Sequence, residues 1–215
     1  MVQTANGVTR AVVDDLRTAI STGDLAPGQR LVEADLVQEF GAARGEVRTA
    51  LVQLEAEGLI ERERHRGARV RRYTLEEALE IVELRSAIES MCAARAAANA
   101  TPEDLEDLKD IGEQMVAAVA AQDPDAYSVQ NQRLHMRVLE ASRMRVAPEI
   151  VRRLRAQNVR HRIRLAQKAN RPIVSLPEHL RIIDAIARGD EAGAADAMRI
   201  HLQSVAEATR GYFSN

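Results

Sequence analysis

Residues 33–72 read EADLVQEFGAARGEVRTALVQLEAEGLIERERHRGARVRR, and the fold turns on this stretch. Glu33 to Phe40 makes a short helix closed by Gly41, a residue that adopts the left-handed conformation at a helix end without steric cost. A second helix runs from about Arg44 to Glu57 and stops at Gly58. Then LIERER and ARVRR form two strand-length pieces joined around Arg66-Gly67, the pattern of a hairpin. Helix, short turn, helix and arginine-tipped hairpin is the order of a winged helix-turn-helix, in which the second helix is set to enter a major groove. A small α+β domain with an incidental basic hairpin is the plainer alternative.

Upstream, a helix from about Thr9 to Ser21 carries Val12, Val13, Leu16 and Ile20 at helical spacing, with Thr9 as its N-cap, before Gly23 and Pro27-Gly28 break the chain. Downstream of Thr74 no strand pattern occurs. Six helices are predicted, at about 75–99, 102–121, 124–142, 146–169, 175–188 and 190–211, with breaks at Pro102, Pro124, Pro148, Pro172 to Pro177 and Gly189-Asp190. Short connections between them imply an antiparallel bundle. The expected fold is therefore mostly α: a winged helix-turn-helix domain over residues 1–72, then an all-α bundle over residues 73–215.

Composition narrows the function. The chain has 215 residues, 46% of them hydrophobic and only 2% aromatic, so its cores are aliphatic and stacking platforms for single-stranded nucleic acid are lacking. No uncharged apolar run is long enough to span a membrane. Asp14 and Asp15 fall where a leader peptide would need apolar residues, and the single Cys92 suits a reducing compartment, so a cytoplasmic protein with no membrane partner is expected. The net charge of −2 conceals segregation: residues 73–130 carry 3 basic against 13 acidic side chains, and residues 131–215 carry 16 against 8. Residues 62–72 hold six arginines and one glutamate, and for DNA binding local field matters more than total charge. The run Arg152, Arg153, Arg155, Arg160, Arg162 and Arg164 reads as a salt-bridged face or as a second nucleic-acid surface.

Three of the five histidines project inward from separate helices. His135 shares a face with Tyr127, Leu134 and Val138, and Asn131 lies one turn before it. His179 falls with Leu176, Leu180 and Ile183, and His201 with Ala194, Met198 and Val205. One inward histidine is ordinarily a hydrogen-bonded core residue. Three of them with Asn131 suit a divalent ion, zinc first and nickel second. Such an ion among neutral ligands would attract an anion, most simply a carboxylate, which Arg85 could clamp; a helix-surface pair between Arg85 and Glu89 is the alternative. There is no HExxH, nucleophile elbow or glycine-rich phosphate loop, so an enzyme is not expected.

The stretches LRTAISTGDLAPGQRL, GAARGEVRTAL, LEAEGLI and RGARV between Leu16 and Val70 resemble the GntR family of bacterial transcription factors. ELRSAIE at 83–89, the Asn131 and His135 pair, Glu178-His179 and His201 resemble the FadR-type effector domain known as FCD, in its shorter, VanR-like six-helix branch. The resemblance implies a homodimer on a palindromic operator in double-stranded DNA, responsive to a small organic acid. It assigns Arg44, Gly45, Glu46 and Arg48 to the recognition helix, and Arg66 and Gly67 to the wing. It assigns Asn131, His135, His179 and His201 to a metal and Arg85 to the effector. The family commonly has Ser or Thr at position 43, Thr at 45 and Pro at 46, where this chain has Ala43, Gly45 and Glu46. Many members carry Asp where Asn131 stands, so weaker metal binding is expected here. The function expected is a ligand-responsive transcriptional regulator, a repressor sensing a carboxylic acid; a metal sensor and a metal-dependent hydrolase are the alternatives.

Overall fold

The computed structural model describes residues 2–22, 24–63, 67–157 and 171–213. The chain divides into two compact units, one of residues 1–73 with 155–160 and the other of residues 74–154 with 161–215.

The first unit contains α1 (Val2–Thr22), β1 (Arg30–Leu31), α2 (Glu33–Phe40), α3 (Arg44–Ala56), β2 (Ile60–Glu63) and β3 (Gly67–Val70). Val12, Val13 and Leu16 of α1 pack with Leu36 and with Val47, Leu51 and Leu54 of α3, closed by Ile60, Ala68 and Val70 of the sheet. The sheet has order β1-β3-β2 with antiparallel pairing; Arg69 stands opposite Arg30 on one side and Glu61 on the other. Two residues carry no periodic signal, so β1 was not foreseen; it exists because β3 offers an edge. α1 begins seven residues before the expected N-cap at Thr9, since residues 2–8 hold no proline to stop the helix. Gly58 ends α3 at φ +76°, with Gly58 N–H donating to Glu55 and Leu59 N–H to Leu54, a closure that favours glycine.

Six helices among the described residues follow: α4 (Leu75–Asn99), α5 (Pro102–Ala120), α6 (Pro124–Ala141), α7 (Ala147–Gln157), α8 (Arg171–Ala187) and α9 (Glu191–Phe213), all in the second unit save residues 155–157 of α7, which fall in the first. Thr74 with Glu77, and Thr101 with Asp104, form capping boxes that start α4 and α5, while the Asp123 side chain caps α6. α9 packs along α4 and α8, and α5 along α6 and α8. Leu108, Ile111, Met115, Leu134, Ile182, Met198 and Leu202 form the centre of this core.

Two expected boundaries differ. The helix foreseen over 146–169 is described only as α7, and residues 158–170, with Arg160, Arg162 and Arg164, lie outside the described residues. α8 begins at Arg171 and not at 175, taking in Pro172 in its first turn and Pro177 in its interior. A first-turn proline loses no helical hydrogen bond. Pro177 does lose one, and burial of Ser175, His179, Ile182 and Ile186 along one face of α8 holds the helix together across it. Among the described residues no helix is long and apolar enough to cross a membrane.

Candidate functional site

The two units carry separate chemistry. In the first, α3 begins without a side-chain cap because Ala43 has no acceptor. Glu46 supplies half of a capping box: its carboxylate accepts from Ala43 N–H at 2.7 Å. The side chain expected to face DNA is thus turned back on its own helix start. Arg44 is exposed in the first turn and makes no ion pair among the described residues, and the space around Gly45 is open. Arg48, 60% exposed, donates through Nε to Glu33 at 2.9 Å, and Arg62 lies 3.9 Å from the same carboxylate. Gly67 opens β3 at φ +87°, a conformation that requires glycine at the end of the hairpin. Arg66 lies outside the described residues. Arg44 and Arg48 therefore point off one exposed face of α3, one turn apart, while Val47, Leu51 and Leu54 bury the other.

In the second unit α6, α8 and α9 bring His135, His179 and His201 together. A ring nitrogen of each lies within 4.8 Å of the others, and the residues are 2%, 1% and 3% exposed. Each imidazole is held at Nδ1 by a different neighbour. Glu89 of α4 meets His135 Nδ1 at 2.5 Å, and Arg85 donates through Nε to the other oxygen of Glu89 at 2.6 Å. Glu178 meets His201 Nδ1 at 2.9 Å, with Arg171 3.6 Å away on the same oxygen. Tyr127 Oη lies 2.9 Å from His179 Nδ1 and 2.7 Å from Ser175 Oγ. With Nδ1 of each ring engaged by these neighbours, Nε2 is the ring nitrogen that would act as a ligand.

The electrostatics are balanced around the rings. Burial pushes His201 below the ordinary histidine value, and the Glu178 carboxylate does not make up the difference, so the imidazole stays neutral. Burial by itself would raise Glu178, but hydrogen bonds from His201 and Ser204 and the charge of Arg171 outweigh it and hold the carboxylate below its usual range. Burial raises the Tyr127 phenol to about 12, which keeps its proton in place. The Glu89 and Glu178 charges are matched by Arg85 and Arg171.

Of the sequence-assigned residues, the structure gathers His135, His179 and His201 and puts Asn131 one turn from His135, its side-chain oxygen buried and accepting no hydrogen bond among the described residues. Arg85 is 3% exposed, so its pairing with Glu89 is a buried one and not a helix-surface pair. Its Nε bond to Glu89 is the one hydrogen bond that Arg85 makes among the described residues. Tyr127, Ser175 and Arg171 were not singled out for this site. Tyr127 reads as core, Ser175 opens the helix expected at about 175–188, and Arg171 falls before it, where the prolines mask the helix. The i,i+7 spacing of Arg171 and Glu178 is the signal that a continuous helix would have supplied.

A winged helix-turn-helix with exposed arginines, joined to a helical unit enclosing a polar cluster, defines a DNA-binding transcriptional regulator. The chain belongs to the GntR family of bacterial regulatory proteins: residues 8–70 match that family and residues 80–204 match the FCD domain. It is a regulator and not an enzyme, as are its relatives. It is 31% identical over 222 residues to an Escherichia coli (strain K12) protein described as a candidate regulatory protein of the L-lactate dehydrogenase operon, covering 90% of this chain and 83% of that one. The transcriptional repressor RspR of the same organism is 27% identical over 186 residues, covering 86% of this chain and 82% of the relative. The solved structure of Escherichia coli McbR/YncC shares the fold, with a TM-score of 0.78 at 24% identity, covering 95% of this chain and 98% of that one.

Proposed function

We propose that this protein is a ligand-responsive repressor that binds a palindromic operator as a homodimer and is governed by a small carboxylic acid taken up at the histidine cluster. In this reading α3 reads the major groove through Arg44 and Arg48, and the β2–β3 wing with Arg66 and Gly67 reaches the minor groove. His135, His179 and His201, with the Asn131 side-chain oxygen, hold a divalent ion, zinc in preference to nickel. The relatives' descriptions, one a repressor and one tied to an L-lactate dehydrogenase operon, make L-lactate the first acid to test.

The observation that carries this reading is the donor set itself. Three imidazoles, each held at Nδ1, and a buried carbonyl oxygen with no donor among the described residues fit an ion bound through nitrogen and neutral oxygen. When bound, such an ion supplies a positive centre that attracts an anion. Because Arg85 and Arg171 already balance Glu89 and Glu178, no carboxylate seen in that outer ring among the described residues is left to neutralise the added charge, and a ligand carboxylate is the natural complement. Arg85 spends only Nε on Glu89, which leaves the terminal nitrogens of its guanidinium to clamp that carboxylate.

The test is a thermal melt of the full chain as purified, after chelation, and after zinc is restored with a panel of acids. It is paired with metal analysis and with binding to duplexes selected by the protein from a random pool. An acid present at 100 times its Kd adds about 2.7 kcal/mol. A midpoint raised by one acid only with zinc present, and an operator affinity changed by that acid, is the expected result. Operator affinity that follows zinc and ignores every acid makes the ion itself the signal. If neither chelator nor acid moves the midpoint, the histidines are core residues and the sensing mechanism is wrong.

A further inference from the structure

We propose that Tyr127 and Ser175 are positioning residues that set the tautomer of His179 through a hydrogen-bond chain of fixed direction, so that Nδ1 carries the proton and Nε2 the lone pair. The first link is Ser175, whose single hydroxyl proton goes to the backbone carbonyl of Arg171, one turn earlier on α8, at 2.9 Å. Ser175 Oγ can then only accept at its 2.7 Å contact with Tyr127, so the phenol proton points at Ser175. With its one proton spent, Tyr127 Oη can only accept at its 2.9 Å contact with His179, and Nδ1 must supply the hydrogen. All three side chains are at most 3% exposed, so the chain is sheltered from bulk solvent.

The arrangement differs from that of the other two rings. His135 and His201 face carboxylates, which accept only and so fix the proton on Nδ1 directly. A phenol can donate or accept. His179 therefore takes its tautomer from Ser175, which reaches the ring only through the Tyr127 hydroxyl among the described contacts. Remove the Ser175 acceptor and Tyr127 is released to donate to Nδ1, which drives the ring proton to Nε2 and blocks the lone pair aimed at the cluster. The tautomer stands on the hydrogen bonds alone; its consequence for metal rests on the proposed function above.

The experiment uses the metal-free full-length protein with 15N-labelled histidine. Long-range 1H–15N correlation spectra distinguish a protonated ring nitrogen from a bare one, and the His179 signals are assigned by their loss in His179→Gln. Nδ1–H is expected in the native protein and in Ser175→Thr, whose hydroxyl can make the same backbone bond. Nε2–H is expected in Ser175→Ala. Zinc affinity, measured by competition with a chromogenic chelator, should fall about 10–100-fold in Ser175→Ala and in Tyr127→Phe, and stay near native in Ser175→Thr. A native ring protonated at Nε2, or a tautomer unchanged in Ser175→Ala, overturns the proposal. The expected tautomers in a protein that takes up no zinc would leave the relay standing and sink the metal reading, while unchanged tautomers with tight zinc would do the reverse.

Discussion

Replacing Glu46 by Ala should destabilise the protein by about 1–2 kcal/mol while leaving DNA recognition intact. The magnitude follows from what Glu46 does at the start of α3. Its carboxylate accepts from Ala43 N–H, a bond contributing about 0.5–1.5 kcal/mol, and sets a negative charge at the helix N-terminus, where it contributes about 0.3–1 kcal/mol. The slightly better helix propensity of alanine returns only a few tenths, about 0.2–0.4 kcal/mol. In a domain of this size each kcal/mol moves the midpoint by about 4–8 °C. Glu46→Gln keeps the acceptor and loses only the charge, so it should retain most of the stability. Ala43→Ser, which adds the missing side-chain cap, should raise stability by about 1 kcal/mol. Melts of the full chain give the stability, and fluorescence anisotropy on a selected operator and a scrambled duplex gives the recognition. Removing a negative charge beside phosphates should hold or tighten binding in both position-46 variants. If Glu46→Ala melts like the native protein yet loses its preference for the operator, Glu46 reads a base and the capping argument is wrong.

Three further outcomes are expected. Arg44→Ala should weaken operator binding by about 1–3 kcal/mol and flatten the preference over scrambled DNA, with stability nearly unchanged because Arg44 is exposed and makes no ion pair among the described residues; anisotropy and melts check both halves. Asn131→Asp should tighten zinc binding in chelator competition but lower the melting point of the metal-free protein, since a carboxylate would replace a buried oxygen that accepts no hydrogen bond among the described residues. Acidification should destabilise the metal-free protein. His201 binds its proton less readily folded than unfolded, so its contribution is fully present above about pH 6.5 and is lost as pH falls towards the folded value, at up to about 1.4 kcal/mol per pH unit. A melting point that stays flat between pH 7.5 and 5.5 would contradict the burial of a neutral His201.

Local signals carried much of the fold. Gly41 and Gly58 terminate their helices through backbone conformation, and Thr74, Thr101 and Asp123 start theirs through side-chain caps, so these boundaries are written within a few residues of where they fall. Helical periodicity likewise turns His135, His179 and His201 inward, because 3.6 residues per turn places each on the apolar stripe of its helix. Other features depend on partners far along the chain. β1 needs the edge of β3, and α8 runs through Pro177 because its buried face outweighs one lost hydrogen bond. That Glu46 caps the Ala43 amide also needs the folded backbone, which brings carboxylate and N–H together.

The centre divides along the same line. That three histidines face inward is a property of three separate helices, each legible by itself. That they meet, with Glu89, Glu178 and Tyr127 behind them, depends on how α4, α6, α8 and α9 pack, and spacing along one helix has no information about the next. The direction of the Ser175–Tyr127–His179 chain is further still from the sequence. It follows from which lone pairs and protons remain once each neighbour is satisfied, and that reckoning exists only in three dimensions.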